Sequence, residues 1–170
     1  MKILIVSDTH RKDEMLRMVI AKEHPFDMLI HLGDTEGSED YFREWVRNDR
    51  CEIHVVRGNN DFFSLSQMEK EILIGPYRAF LTHGHVYGVT MSLSRLEDEA
   101  RDRCADIAMF GHSHRPCVER RDDGFVMLNP GSLAYPRQKG RQPSYIVMKM
   151  PQNGAPEFEI CYVDEENIIF

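Results

Sequence analysis

The sequence predicts an α/β fold in which two packed β-sheets carry helices on their outer faces. Apolar runs of strand length alternate with helix-period segments through the first two thirds of the chain, and the last third is strand after strand. The runs number about nine, more than one small open sheet comfortably holds, although their patterns carry no information on strand order.

Residues 2–7 open the chain with an apolar strand, and the first helix follows from Met15, Leu16, Val19 and Ile20, whose 3-4 spacing lines one face. A strand at 27–32 precedes a second helical stripe of Phe42, Trp45 and Val46. Strands are expected at 52–56, 71–74 and 78–82, with Gly75-Pro76 as the turn between the last two. Ser94 and Glu97 have the spacing of a capping box, and Leu93, Leu96, Ala100 and Cys104 continue a modest stripe, so the third helix starts there. Strands at 106–110 and 125–128 follow, with 117–121 as a tenth candidate and Asp122-Asp123-Gly124 as a hairpin turn; 145–150 and 158–163 complete the set. Asp164-Glu165-Glu166 reads as a solvated turn.

At 170 residues, 42% hydrophobic and 29% charged, the chain has the size and composition of one globular domain, spanning 1–170, without a linker or repeat to divide it. The formal net charge of −7 disfavours a general polyanion-binding surface, so no stable nucleic-acid binding is expected and a phosphate-bearing ligand needs local positive charge. The apolar stretch Ile3 to Val6 is too short for a signal-peptide core or a membrane span, which points to a cytoplasmic protein. Cys51, Cys104, Cys117 and Cys161 are scattered, with no Cys-x-x-Cys pair to suggest a zinc knuckle or redox motif.

The informative residues stand just beyond apolar strands: Asp8-x-His10, Gly33-Asp34, Gly58-Asn59-Asn60-Asp61, His83-Gly84-His85 and Gly111-His112-x-His114. Ligand sites of open α/β sheets gather at the carboxyl ends of strands, so five such ends can converge on one cleft. Two ligand-type residues separated by one place both side chains on one side of an extended segment, able to address one metal cluster. Carboxylate, amide oxygen and imidazole without thiolate suit Mn, Fe, Ni, Mg or Zn and select none of them. By contrast His24, His31 and His54 read as structural or solvent-facing, and Met15 and Met18 as packing residues.

In their order, these motifs resemble the calcineurin-like metallophosphoesterases. Asn129-Pro130-Gly131-Ser132 and the short length further resemble the small YfcE-like bacterial and archaeal branch of phosphodiesterases. The resemblance runs across residues 8 to 132 and implies a four-layer α/β/β/α sandwich, two mixed sheets between helices, with two divalent metal ions, Mn first and Ni, Fe, Mg or Zn as alternatives. It also implies that one ion takes Asp8, His10, Asp34 and His114 and the other Asp34, Asn59, His83 and His112, with Asp34 bridging. Charge counting supports such a site: two divalent ions against Asp8, Asp34 and a bridging hydroxide leave about +1, enough to attract a phosphodiester monoanion, and the hydroxide can attack phosphorus in line.

Many relatives carry a histidine where this chain has Asn60. An amide has no acidic proton to give, although it can donate a hydrogen bond to phosphate, so diesters with good leaving groups are the expected substrates, small or nucleotide-like. His85 could face the same cleft. Asp61 is expected behind the ligands, orienting them. Arg11 and Arg137 are candidate phosphate contacts, and the Asn129, Gly131 and Ser132 loop could complete the cleft through backbone N–H groups. Two readings compete: a phosphomonoesterase, and a metal-binding protein-interaction scaffold like the retromer subunit that resembles this family. The strand at 158–163 could edge-pair with another copy to form a homo-oligomer.

Overall fold

The computed structural model describes residues 1–151 and 154–163; the acidic turn expected at 164–166 lies outside them. Alternation along the first strand, β1 (Lys2–Val6), sets the architecture. Ile3 and Ile5 point to one side and Leu4 and Val6 to the other, and all four are fully buried, so β1 must be covered on both faces. On one face lie α1 (Asp13–Glu23) and the short α2 (Phe42–Val46), packing Leu16, Val19, Ile20, Phe42 and Val46 against Leu4 and Val6. On the other face lies a second sheet.

The first sheet adds β2 (Met28–His31), β3 (Glu52–Val55), β9 (Ser144–Lys149) and β10 (Glu157–Tyr162) in the order β10-β9-β1-β2-β3. The second contains β4 (Glu69–Ile74), β5 (Tyr77–Thr82), β6 (Ile107–Met109), β7 (Cys117–Arg120) and β8 (Val126–Asn129) in the order β4-β5-β6-β8-β7. Both are mixed: β1, β2 and β3 run parallel, as do β5, β6 and β8, while the flanking strands pair antiparallel. Ile3, Ile5, Ile30 and Leu32 meet Ile74, Leu81, Met109 and Leu128 between the sheets, each such side chain contributing roughly 1.5–3 kcal/mol by leaving water. The outer face of the second sheet is closed by α3 (Ser94–Asp102), whose Leu96 and Ala100 pack on Phe80, Ala108 and Phe110. The four layers α/β/β/α follow directly.

The Gly75-Pro76 and Asp122-Asp123-Gly124 turns connect β4 to β5 and β7 to β8, with Gly75 and Gly124 in the left-handed region. The capping box expected at Ser94 does not form. Leu93 holds the cap position with no side-chain bond, and both Glu97 carboxylate oxygens are occupied by Arg101 and Arg121. A charge-assisted pair to a residue 24 positions away outcompetes the weaker local cap.

His31, at the end of β2, is fully buried beside Phe42. Its Nδ1 accepts the Gly33 N–H at 3.2 Å, which leaves Nε2 to donate to Thr9 Oγ1 at 3.1 Å, so the ring is neutral. Burial pushes its pKa down to about 4 against the pull of Asp61 and Asp8. The unfolded chain takes up this proton near pH 6.5 and the folded chain only near 4. Stability is therefore lost as pH falls through that window, by on the order of 3 kcal/mol in total, and the group contributes nothing to pH dependence above it. In chelator, the pH slope of the unfolding free energy in His31→Asn is expected to fall by nearly one proton relative to wild type between pH 6.5 and 4; an unchanged slope refutes the neutral ring.

Candidate metal centre

Parallel strands end on the same rim, and here the carboxyl ends of both sheets meet. The Gly111 N–H donates to the His83 carbonyl and the Asp8 N–H to the Gly33 carbonyl, tying the ends of β6 to β5 and of β1 to β2. Each chain segment must turn sharply as it leaves its strand. Asp8, His10, Asp34, His112 and His114, five of the seven expected ligands, have positive φ between 44° and 63°, a region that non-glycine residues seldom occupy. Such backbone persists only where surrounding structure enforces it, and it clusters at functional sites.

Three imidazoles aim at two carboxylates. His10 Nδ1 donates to Glu36 Oε1 at 2.7 Å, His83 Nδ1 to the Leu32 carbonyl at 2.6 Å and His114 Nδ1 to the Tyr135 carbonyl at 2.7 Å. Carbonyl and carboxylate oxygens only accept, so each Nδ1 carries the proton and each neutral ring presents its Nε2 lone pair inward. His114 Nε2 lies 3.0 Å from Asp8 Oδ1; His83 Nε2 lies 3.5 Å from Asp34 Oδ2 and 3.9 Å from Asp8 Oδ1; His10 Nε2 lies 3.7 Å from Asp34 Oδ2. Asn59 Oδ1 approaches His83 Nε2 to 3.2 Å. Lone pairs facing lone pairs require a cation or a proton between them.

Asp8 Oδ1 and His10 Nε2 are buried without a hydrogen-bond partner, the mark of atoms shaped for a group that binds between them. Asp8, His10 and His114 form one group whose ligand atoms lie within 4.8 Å of one another, and Asp8, Asp34 and His83 form a second. The residues thus fit divalent metal, with Asp8 common to both groups. Without metal a proton fills the role: burial lowers the His83 pKa, but its contact with Asp34 and the charges of Asp8 and Asp34 raise it to about 9. Burial likewise opposes ionisation of Asp8 and Asp34, yet the neighbouring imidazoles hold both below the usual carboxylate range, helped at Asp34 by Asn60. The half-buried His112 flanks this group, its ring 5.2 Å from that of His83 and its backbone N–H on Asp8 Oδ2; burial and the His83 charge lower its pKa.

Behind the candidate ligands the Asp61 carboxylate accepts the N–H groups of Asp34, Gly58 and Glu36 and the Thr35 hydroxyl, so one buried side chain ties the loop after β2 to the loop after β3. Asn60 aims its amide at Asp34 Oδ2, 2.7 Å away, and its N–H at Oδ1, so its donors orient the carboxylate. Asn129 and Ser132 are fully buried. Asn129 Nδ2 donates to the Gly111 carbonyl and Ser113 Oγ, its Oδ1 accepts the Gly131 N–H, and Ser132 Oγ donates to the Asp8 carbonyl. Asn129 thus braces the histidine loop and Ser132 the segment carrying Asp8, both from behind instead of from an open cleft. Arg11 and Arg137 are exposed on separate grooves. His85, half-buried, sits 5.5 Å from the His83 ring.

Two residues carry no mark in the sequence strong enough to single them out. Glu36 fixes the His10 tautomer, and Ser7 donates to Asp8 Oδ2 at 2.6 Å. The one signal for Glu36 is its place two residues beyond Asp34 at a strand end; Ser7 sits inside the strand run and has none.

Residues 1–153 match the calcineurin-like phosphoesterase superfamily domain. The chain is 35% identical over 158 residues to YsnB of Bacillus subtilis, named a probable metallophosphoesterase, covering 91% of this chain and 88% of that protein. It is 33% identical over 100 residues to the phosphodiesterase YfcE of Escherichia coli K12, covering 54% of this chain and 49% of YfcE. The crystal structure of a conserved uncharacterized protein from Streptococcus pneumoniae TIGR4 superposes with a TM-score of 0.79 at 24% identity, covering 99% of this chain and 92% of that one. With motif order, sheet arrangement and the match over nearly the whole chain in agreement, the protein belongs to the calcineurin-like phosphoesterase superfamily.

Proposed function

We propose that the protein is a metal-dependent phosphodiesterase that hydrolyses small or nucleotide-like phosphodiesters, acting as a single domain over 1–170 in the cytoplasm. The observation that carries the reading is the convergence of three imidazoles, each locked by its outer nitrogen, on two carboxylates with unpartnered buried atoms between them. In this reading Asp8, His10, Asp34 and His114 hold one divalent ion and Asp34, Asn59, His83 and His112 the other; the family resemblance puts Mn first, while the oxygen and nitrogen donors also suit Ni, Fe, Mg or Zn. When bound, the ions supply Lewis-acid charge for the phosphoryl oxygens and a water acidic enough to attack phosphorus at neutral pH.

The chain's own residues do the positioning. Glu36 and the Leu32 and Tyr135 carbonyls hold the three imidazoles in the tautomer that ligates, and Asp61 fixes the loop that carries Asp34. Such outer contacts are worth about 10–100-fold in metal affinity. Asn60 supplies no proton, and its amide donor is already directed at Asp34, so a departing group leaves best when it is stable as an anion. That favours aryl diesters over alkyl monoesters. Among the described residues no helix is long and apolar enough to cross a membrane.

Metal-stripped protein is expected to be inactive on bis(p-nitrophenyl) phosphate and to recover with Mn, turning over this diester faster than an alkyl phosphomonoester under the same conditions. Full activity in metal-free protein sinks the metal reading. Bound metal without turnover of any ester favours a binding scaffold.

A further inference from the structure

The loop that carries Asn59 and Asn60 continues as Phe62-Phe63-Ser64-Leu65 at the edge of the metal centre. Phe62, Phe63 and Leu65 are 79%, 97% and 101% exposed. Three large apolar side chains presented to water within four residues are unfavourable for a protein that has nothing to place on them. They line an open groove of about 820 Å³ that also includes Asn60 and Asp61, and so is continuous with the ligand loop. Two residues of chain span at most about 7 Å, which keeps the Phe62 backbone within one sugar ring's reach of Asn60.

The polar residues of the groove restrict its occupant. Glu36, Glu39 and Asp40 line it, and Arg11, next to His10, is the single cation among the described residues that do. A second phosphoryl group would meet mostly carboxylates there. A flat, uncharged ring that bears an amino group suits the groove, because its face stacks on phenylalanine and its N–H groups donate to carboxylates.

We propose that this groove is a nucleobase subsite, holding the amino-bearing base of a nucleotide whose phosphate sits at the metal centre. The inference rests on the phosphodiesterase reading for the phosphate position and adds the part of the substrate that the metals do not touch. Phe62 and Phe63 supply stacking faces, Arg11 the phosphate-side cation, and the acidic wall contacts to the exocyclic amine. The same wall disfavours substrates with a phosphate on both sides of the base-bearing sugar.

The test uses Mn-loaded full-length protein and two probes that share a phosphomonoester, adenosine 5′-monophosphate and ribose 5-phosphate, with dissociation constants from calorimetry. Adenosine 5′-monophosphate is expected to bind about tenfold tighter, the difference reporting the base. In Phe62→Ala/Phe63→Ala, two exposed positions whose substitution leaves the core alone, that difference is expected to collapse below about twofold. Equal affinities in the wild type, a difference that survives in the double variant, or no binding of either probe overturns the subsite. A base-dependent difference in a protein that hydrolyses no aryl diester leaves the subsite standing and rejects the phosphodiesterase reading, so the two failures are separable.

Discussion

Asp34→Asn is expected to lower kcat/KM for an aryl phosphodiester by at least about 10³-fold while the protein stays folded. In the proposed arrangement Asp34 bridges the two ions. Its Oδ2 faces His10 Nε2 at 3.7 Å and His83 Nε2 at 3.5 Å, one ring from each proposed ion. Asparagine keeps the shape and removes the charge, leaving Asp8 as the lone carboxylate among the seven proposed ligands. It also turns one acceptor into a donor, where Asn60 directs both its amide and its backbone N–H at the Asp34 carboxylate. One hydrogen bond is lost and one donor is left opposed, at about 1–3 kcal/mol. That loss is small beside the effect on chemistry, so circular dichroism should report a folded protein and elemental analysis fewer than two metal ions per chain. A variant that keeps more than a tenth of wild-type turnover with full metal content would remove Asp34 from the bridging position.

The residues that converge on the candidate centre were legible in the sequence because they obey two rules at once: each is of a type able to ligate metal, and each stands immediately beyond an apolar run. The strands were legible for the same reason that β1 is buried on both faces, since a short continuous apolar run is stable in water only where neighbouring layers cover both of its sides. Strand order was not. β9 pairs with β1 from the far end of the chain, and β8 inserts between β6 and β7, and nothing in an apolar run names its partner. The two-sheet packing was readable only as a count of strands. At the site, Glu36 stayed hidden because a loop glutamate is the commonest kind of solvated residue, and only the fold brings it to His10. Asn129 and Ser132 show the opposite case. A turn signal marked their loop, but their side chains face backward into the structure, which a turn signal does not encode. The Ser94 capping pattern failed because Arg121, far away in sequence, claims Glu97.

Gly33→Ala is expected to destabilise the fold by about 2–4 kcal/mol and to weaken metal binding at least about tenfold, although no metal ligand is changed. Gly33 sits where four strand ends cross. Its carbonyl accepts the Asp8 N–H, its own N–H donates to His31, and a methyl group on it would lie 2.7 Å from His83 Nδ1 and 2.8 Å from the Gly58 nitrogen. Its φ of +96° adds strain for any L side chain. The His83 ring cannot yield cheaply. Its Nδ1 is held by the Leu32 carbonyl at 2.6 Å, and that bond sets the tautomer that turns Nε2 toward Asp34. Backbone strain alone can be measured at Gly124, in the turn between β7 and β8, where φ is +91° and a methyl group would meet nothing within 4 Å. Gly124→Ala therefore bears nearly the same conformational penalty without the steric one. The excess destabilisation of Gly33→Ala over Gly124→Ala, by denaturant unfolding in chelator, reads the contact with His83 and Gly58, and the Mn dissociation constant reads its transmission to the ligands. Equal unfolding free energies and an unchanged Mn affinity in the two variants would mean that the His83 loop moves aside freely, and that the ligand geometry is not enforced by close approach of the strand ends.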